Sequence, residues 1–398
     1  MDRRSFLTRG SGIAVAGVAA TAALTGNSAL AAAASTKNTP TIFDFGAVGD
    51  GSTDDSDAFS KALQSAAQSG MVVIVPSAVY AIGKTIGFWS QGDVGAAWGL
   101  QCQGATLLSR IGNGQDVMQL ESRHTVRYFR LTGGLSIKGT GSDGNGIHVV
   151  AYGADKYFYN FLIDGLSVEG AGLSGALFEG DVFEFTVANS YFQDNKFNGM
   201  TLANAKGGVV STVNLTNCFF NQNANIGMAC VDFDSQWGGP TDVRVYGGYA
   251  RDNRNYGFWY NNGTGQAAIH QVGFENNCRG LSPGDPNGAH VFAYVSMKMR
   301  DCAGYNQGGG ATYLLRGWFN APVVLDGCTQ GAGAAMAATG ASRLMHIDGT
   351  QGGNVLMTGS NGGFTTQAGC GVTWQAQGCT GPSPVGNLDV TRTVSGTA

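Results

Sequence analysis

Charge is thin in this 398-residue chain: Asp, Glu, Lys and Arg make up only 13% of it, with a formal net charge of −4. So sparse and mildly acidic a surface carries no footprint for nucleic acid, and an acidic polymer would need a local basic patch. No pair among the eight cysteines has CxxC spacing, which removes the common metal and redox motifs. Beyond the first residues no segment is long and apolar enough to span a bilayer. What is abundant is glycine, 64 residues, with 10% aromatics. That balance fits an extracytoplasmic β protein with many tight turns around a hydrophobic interior.

The chain opens on a separate segment. Arg3 and Arg4, then Ser5, Phe6 and Leu7, an apolar run from Ile13 to Leu24 and small residues around Ala29 and Ala31 resemble a twin-arginine export signal over residues 1–31. Its removal leaves 20 basic and 26 acidic residues. The expectation is a bacterial product, periplasmic or secreted, exported already folded and without membrane attachment. Oligomers are permitted. Export in the folded state argues against a large disulfide framework. Cys218, Cys278, Cys302 and Cys328 fall within the repeat described next and Cys230 on an inward position, as small hydrophobes. Only Cys370 and Cys379, in the Gly-rich tail, are placed to bridge.

The dominant pattern is a repeat. Asn195 precedes Gly199 by four residues, and the same holds for Asn223 and Gly227, Asn253 and Gly257, Asn276 and Gly280, and Asn306 and Gly310. The glycines are spaced 28, 30, 23 and 30 apart. Such periods, with strand-like stretches on either side of a polar turn, describe coils that stack to share one core. Met200 and Leu202, Met228 and Cys230, Phe258 and Tyr260, and Ala311 and Tyr313 then point inward; Thr201, Ala229, Trp259 and Thr312 point outward. Phe192 and Phe220 hold equivalent places, and the pattern extends upstream to Gly175 and Gly146. Leu281, Ser282 and Pro283 mark a loop excursion after Gly280. Stacked amides would form a hydrogen-bonded ladder, and glycine would supply a turn conformation closed to other residues.

Ahead of the repeat, Ile42 to Asp55 reads IFDFGAVGDGSTDD, and Ser56 to Ala67 places Ala58, Phe59, Ala62, Leu63 and Ala66 on one helical face. Strands follow at Met71–Pro76 and from Tyr80. Phe88 to Leu100 reads as a loop over the first coils. This run resembles the N-terminal cap of the pectate-lyase-like superfamily, which includes polygalacturonases, rhamnogalacturonase and epimerase-like proteins, and many phage tailspikes. The resemblance implies an all-β fold: a right-handed single-stranded parallel β-helix with a short N-terminal capping helix. The cap and first coil would occupy 32–87, the β-helix 88–380, and an extension 381–398. Asp54 and Asp55 belong to the cap and read as structural.

That superfamily hosts hydrolases, lyases, epimerases and adhesins, so function has to come from the outward columns. The motif set of polygalacturonases is absent: the comparable lips read Asp143-Gly144-Asn145-Gly146, Lys196-Phe197-Asn198-Gly199, Asn225-Ile226-Gly227 and Asn255-Tyr256-Gly257. Immediately before the ladder lie Asp194, Gln222, Asp252, Glu275 and Tyr305. Stacking would put Asp252 about 5 Å from Glu275 and about 10 Å from Asp194, which brackets the carboxylate separations of glycosidases. The same column equally suits a solvated polar edge. A second acidic group comprises Glu179, Asp181, Asp232 and Asp234 around Lys206, suited to base chemistry on a uronate or to a plain ion-pair string. Trp259 and Tyr256 offer flat faces for sugar rings, Arg254 and Arg279 bidentate donors for a carboxylate, and His148 an outward imidazole. The reading is a polysaccharide hydrolase or lyase acting in a groove on a glycan of acidic character, with a non-catalytic carbohydrate-binding or surface-structural β-helix as the alternative. No cofactor or metal is expected, except Ca2+ if the reaction is an elimination.

Overall fold

The computed structural model describes residues 39–360 except 153–155, 235–238, 262–265, 308–309, 320–321, 333–342 and 349–353, together with the strands Phe364–Thr366, Thr373–Gln377 and Arg392–Val394. Residues 1–31, read above as resembling an export signal, and Cys370 and Cys379 lie outside the described residues. Pro40–Ala398 form one unit.

The cap forms as its residue types dictate. The one α-helix among the described residues, α1 (Ser56–Ser69), buries Ala58, Phe59, Ala62, Leu63 and Ala66 and ends at Gly70 in the left-handed conformation, φ 61°. Asp55 is buried and accepts from the amides of Val48 at 2.7 Å and Gly49 at 3.1 Å. Asp54 accepts from the amides of Ser56 and Gly83, both at 3.0 Å. Both carboxylates tie the cap loop to the helix and to the first coil. The expected loop over Phe88–Leu100 is shorter: Trp89 ends a strand and Trp98 begins another. The fully buried Trp98 ring packs 4.5 Å from Phe88 and 4.9 Å from Phe129.

Beyond the cap the chain is a right-handed parallel β-solenoid of about 10 turns, as the repeat predicts. Among the described residues eleven strands stack into one sheet, called the front sheet here, running from Ile86–Trp89 to Phe364–Thr366; a sheet of 24 strands makes the remaining walls. Inward side chains merge into one continuous core. Met200 registers with Met228 and then Phe258, and Leu202 with Cys230 and then Tyr260. Phe192 and Phe220 stack at 5.6 Å with an interplanar angle of 14°. A strand at Arg392–Val394, inside the expected extension, pairs in parallel with Thr373–Gln377.

The amide ladder exists, with one rung differently occupied. Asn195 donates to Asn223 at 2.9 Å, Asn223 to Asn253 at 2.9 Å, and Asn253 to Asn277 at 2.8 Å. The fourth rung is therefore Asn277 and not Asn276. Asn277 in turn donates to the Nδ1 of His290 at 3.1 Å. The cause is the excursion after Gly280: the chain re-enters the front sheet at Ala289, so Gly280 has no entry role and the four-residue spacing loses its meaning there. In the rung after it, Leu315 and Gly317, rather than Ala311 and Tyr313, stand beneath Val291 and Ala293.

The repeated glycines are needed for close approach, not for a left-handed turn. A Cβ on Gly199 would lie 2.5 Å from the Gly227 carbonyl oxygen, and one on Gly227 2.4 Å from that of Gly257. The left-handed residues are the ones before the ladder: Asp194, Gln222, Asp252 and Asn276 have φ of 55°, 56°, 57° and 48°.

Asn253→Ala should destabilise the chain by about 1–3 kcal/mol for each buried group it leaves unpaired, here partners on both neighbouring rungs. Urea unfolding against Asn255→Ala, an exposed amide, measures the difference.

Candidate functional site

The structure separates the acids that sequence spacing had aligned. Glu275 registers with Arg251, one position away from the column of Asp194 and Asp252, and accepts from the Tyr249 hydroxyl at 2.9 Å. Because Asn277 and not Asn276 occupies the ladder, Asp252 and Glu275 are not the stacked pair expected. Asp252 lies 3.2 Å from the Arg251 guanidinium. Partial burial and the neighbouring Glu169 raise the pKa of Asp194 above the ordinary carboxylate value. Asp232 and Asp234 sit at the far end of a front strand, where Asp234 accepts from the Gly207 amide at 2.8 Å. The five acids thus occupy the two margins of the front strands.

Asp252, Arg254 and Arg279 do come together. With Gln222, Ala224 and Gly280 they line a shallow depression of about 400 Å3 on the turn that leads into the front sheet. Arg279 also reaches the Asp252 carbonyl oxygen at 3.4 Å. A second amide ladder runs along this turn, Asn255 to Asn225 at 2.6 Å and Asn225 to Asn198 at 2.8 Å.

The better-built constellation surrounds His148 on the outer side of the front sheet. Its Nδ1 is 2.7 Å from Asp116 and its Nε2 3.3 Å from Glu179, with all three side chains nearly buried. The other oxygen of Asp116 accepts from the Asn145 amide at 2.6 Å and its side chain at 2.8 Å, which fixes the carboxylate. Burial disfavours a charged imidazole, but hydrogen bonds and attraction from Asp116 and Glu179 outweigh it and raise the His148 pKa to about 9. Glu121 stands in the same outward column as Glu179: Val150 registers with Glu121 on one side and Glu179 on the other. Glu121 pairs with Arg123, and the two line a depression of about 480 Å3 with Tyr152. Lys206 lies over the Tyr152 ring at 5.5 Å.

Sequence reasoning reached His148, Glu179 and Lys206 but not Asp116 or Glu121. Glu121 lies on the strand Met118–Ser122 and Asp116 two residues before it, and that strand is entered through Val117 where the repeat has its glycine. Only its alternation, Met118 and Leu120 inward with Gln119 and Glu121 outward, would have placed it.

Further along the same face lies an uncharged stretch. Ala203, Ile226, Ala229 and Val231 form a small apolar cluster outside the main core, with Leu177, Tyr256 and Trp259 packed on it. Tyr256 stacks on Phe292 at 5.0 Å, Phe292 meets Tyr294 at 5.1 Å, and Tyr294 meets Trp318 at 5.4 Å. Trp259 registers with Phe292. Among the described residues no group of three or more His, Cys, Asp or Glu is arranged to hold a metal ion, and no helix is long and apolar enough to cross a membrane. The six described cysteines are buried free thiols.

With this geometry the chain falls among right-handed parallel β-helices. No protein-family model and no curated protein matches it at a significant level. The surface adhesin PfbA of Streptococcus pneumoniae resembles it with a TM-score of 0.61 at 13% identity, covering 90% of this chain and 91% of the adhesin. Tailspike protein 2 of an Escherichia coli O157:H7 bacteriophage gives 0.54 at 14% identity over 80% of this chain, which spans only 42% of the tailspike. The A-module of the Azotobacter vinelandii mannuronan C-5 epimerase AlgE6 gives 0.50 at 14% identity, covering 90% of this chain and 99% of the module. At such identities the likeness concerns the fold.

Two histidines should shape stability against pH in opposite ways. His148, with its pKa raised from 6.5 to about 9, stabilises the fold fully below pH 6.5 and loses that contribution as pH rises through 9. Burial lowers the His290 pKa to about 3, so its contribution is present above pH 6.5 and is lost as pH falls toward 3. Thermal unfolding across pH should show the alkaline loss removed in His148→Asn. The acid loss should be reduced in His290→Asn, whose amide oxygen still accepts from Asn277.

Proposed function

We propose that the chain is an exported glycan-processing protein that lays a polysaccharide along its front face and cleaves a glycosidic bond beside Glu121, His148 and Glu179. The observation that carries this is the outward His148 held between Asp116 and Glu179 within one strand of a second carboxylate. Glu121 and Glu179 are two rungs apart, a backbone separation of about 10 Å with the uncharged Val150 between them. That spacing approaches the carboxylate separations that leave room for a sugar and an attacking water. The imidazolium supplies a proton to the leaving oxygen, and a facing carboxylate takes one from water. Asp116 holds the ring in place through the donor set on its other oxygen. Resemblance of the cap to the pectate-lyase-like superfamily supports a glycan as the partner, and the resemblance of residues 1–31 to a twin-arginine signal supports export. Asp252, Asp232 and Asp234 contact the polymer only at the margins of the face.

A second reading, non-catalytic glycan binding, is favoured by one feature: Glu121 and Glu179 are each already engaged, by Arg123 and by His148.

A panel of neutral and acidic polysaccharides, assayed for new reducing ends, separates the two. Cleavage should fall by about 100-fold or more in His148→Gln, Glu121→Gln and Glu179→Gln while binding persists. Binding without cleavage by the unaltered protein selects the second reading. Absorbance of an unsaturated uronate would instead indicate elimination, in which Ca2+ would neutralise the sugar acid.

A further inference from the structure

We infer that the glycan taken by the front face is neutral, its sugar rings lying on the aromatic track formed by Trp259, Tyr256, Phe292, Tyr294 and Trp318. The inference rests on the glycan reading above and concerns the class of polymer. A face that recognises a polyuronate needs free cationic donors spaced along it, because each sugar carries a carboxylate. Apart from Arg343, which opens the strand Arg343–Ile347, the described cations of the front face are already committed. Arg316, beside the aromatic track, lies 5.9 Å from the Phe292 ring centre. Its Nε and Nη2 donate to Asp348 at 2.7 and 2.8 Å, and its Nη1 donates to the Pro286 carbonyl at 2.5 Å and to Asn287 at 3.0 Å. Four of the five donors of a guanidinium are thereby used.

At the opposite end Arg123 is bound to Glu121, and His148 is enclosed by Asp116 and Glu179. Lys206 rests on Tyr152. Against these cations stand the four acids just named, Asp116, Glu121, Glu179 and Asp348, with Asp232 and Asp234 on the exit margin. The face is therefore acidic on balance and would repel a polyanion. Between the two charged ends the outward positions over three successive strands are Thr201 and Ala203, Ala229 and Val231, and Trp259 with Asn261 two positions on. None carries charge. The surface that stays accessible there is aromatic: Trp259 and Tyr256 are half-buried and Trp318 is 55% exposed. Flat apolar rings between charge-neutral neighbours suit the apolar faces of uncharged pyranose rings. Arg254 and Arg279, which in the sequence favoured an acidic glycan, line the depression on the entry turn instead.

The test compares binding of the full chain to a linear β-glucan and a galactomannan with binding to polygalacturonate and alginate, by affinity electrophoresis at low and high salt. Neutral polymers should bind with little dependence on salt, since no counterions are released. Trp318→Ala and Trp259→Ala should each weaken them about tenfold, Trp318 being exposed enough for the fold to be unaffected. Arg254→Ala with Arg279→Ala should change nothing. Tighter binding of either polyuronate at low salt, lost in the arginine double variant, overturns the inference and leaves the glycan reading standing. Neutral binding indifferent to both tryptophans also overturns it, by placing the polymer elsewhere. Failure to bind any of the four polymers sinks the glycan reading and this inference with it.

Discussion

Parallel rungs in exact vertical register are the constraint from which everything else in this chain follows, and buried amides hold that register at each turn. Asn195, Asn223, Asn253 and Asn277 are almost wholly shielded from water, so each must find its partners among the others and in the backbone beside them. The requirement is mutual: shifting one rung by a residue would strand an amide and turn the whole inward set of that strand outward. Gly199 and Gly227 add a steric condition, since a side chain at either would collide with the next rung's carbonyl. Register thus comes from polar satisfaction and close contact together, while the apolar core supplies the driving force.

The same stack sorts identical residue types into different chemistry. His148 and His290 are both buried on or beside front strands, yet one is held charged and the other neutral. The difference is local. His148 faces two carboxylates, which favour the cation more than burial opposes it. His290 closes an amide ladder and lies against Phe274, with no carboxylate to offset the loss of water. Arginines divide likewise: Arg316 is locked by Asp348 and the excursion loop, whereas Arg254 and Arg279 border an open depression. Position in the stack, more than residue identity, decides which groups meet a ligand.

Much of the architecture was legible because a solenoid repeats a short statement many times. The asparagine-to-glycine spacing, the inward pairs from Met200 to Tyr260 and the capping run IFDFGAVGDGSTDD each answer to a local rule, so coil, cap and helix could be read off. Reading failed where one coil broke the spacing. Nothing local distinguishes Asn276 from Asn277, and choosing between them needs the point at which the chain re-enters the front sheet. That single offset moved Glu275 out of the column of Asp252.

By itself the sequence determined the class of fold, the capping helix and the alternation of inward and outward positions, because these depend on neighbours a few residues apart or one repeat apart. Only the tertiary structure decided that Asp116, His148 and Glu179 meet, that Glu121 shares the Glu179 column, and that Arg316 is already occupied. Those groups come from different coils, some without the repeat's signature. Whether two such side chains face each other depends on how many residues each intervening turn consumes, a length that hydrophobic alternation leaves free and close packing fixes.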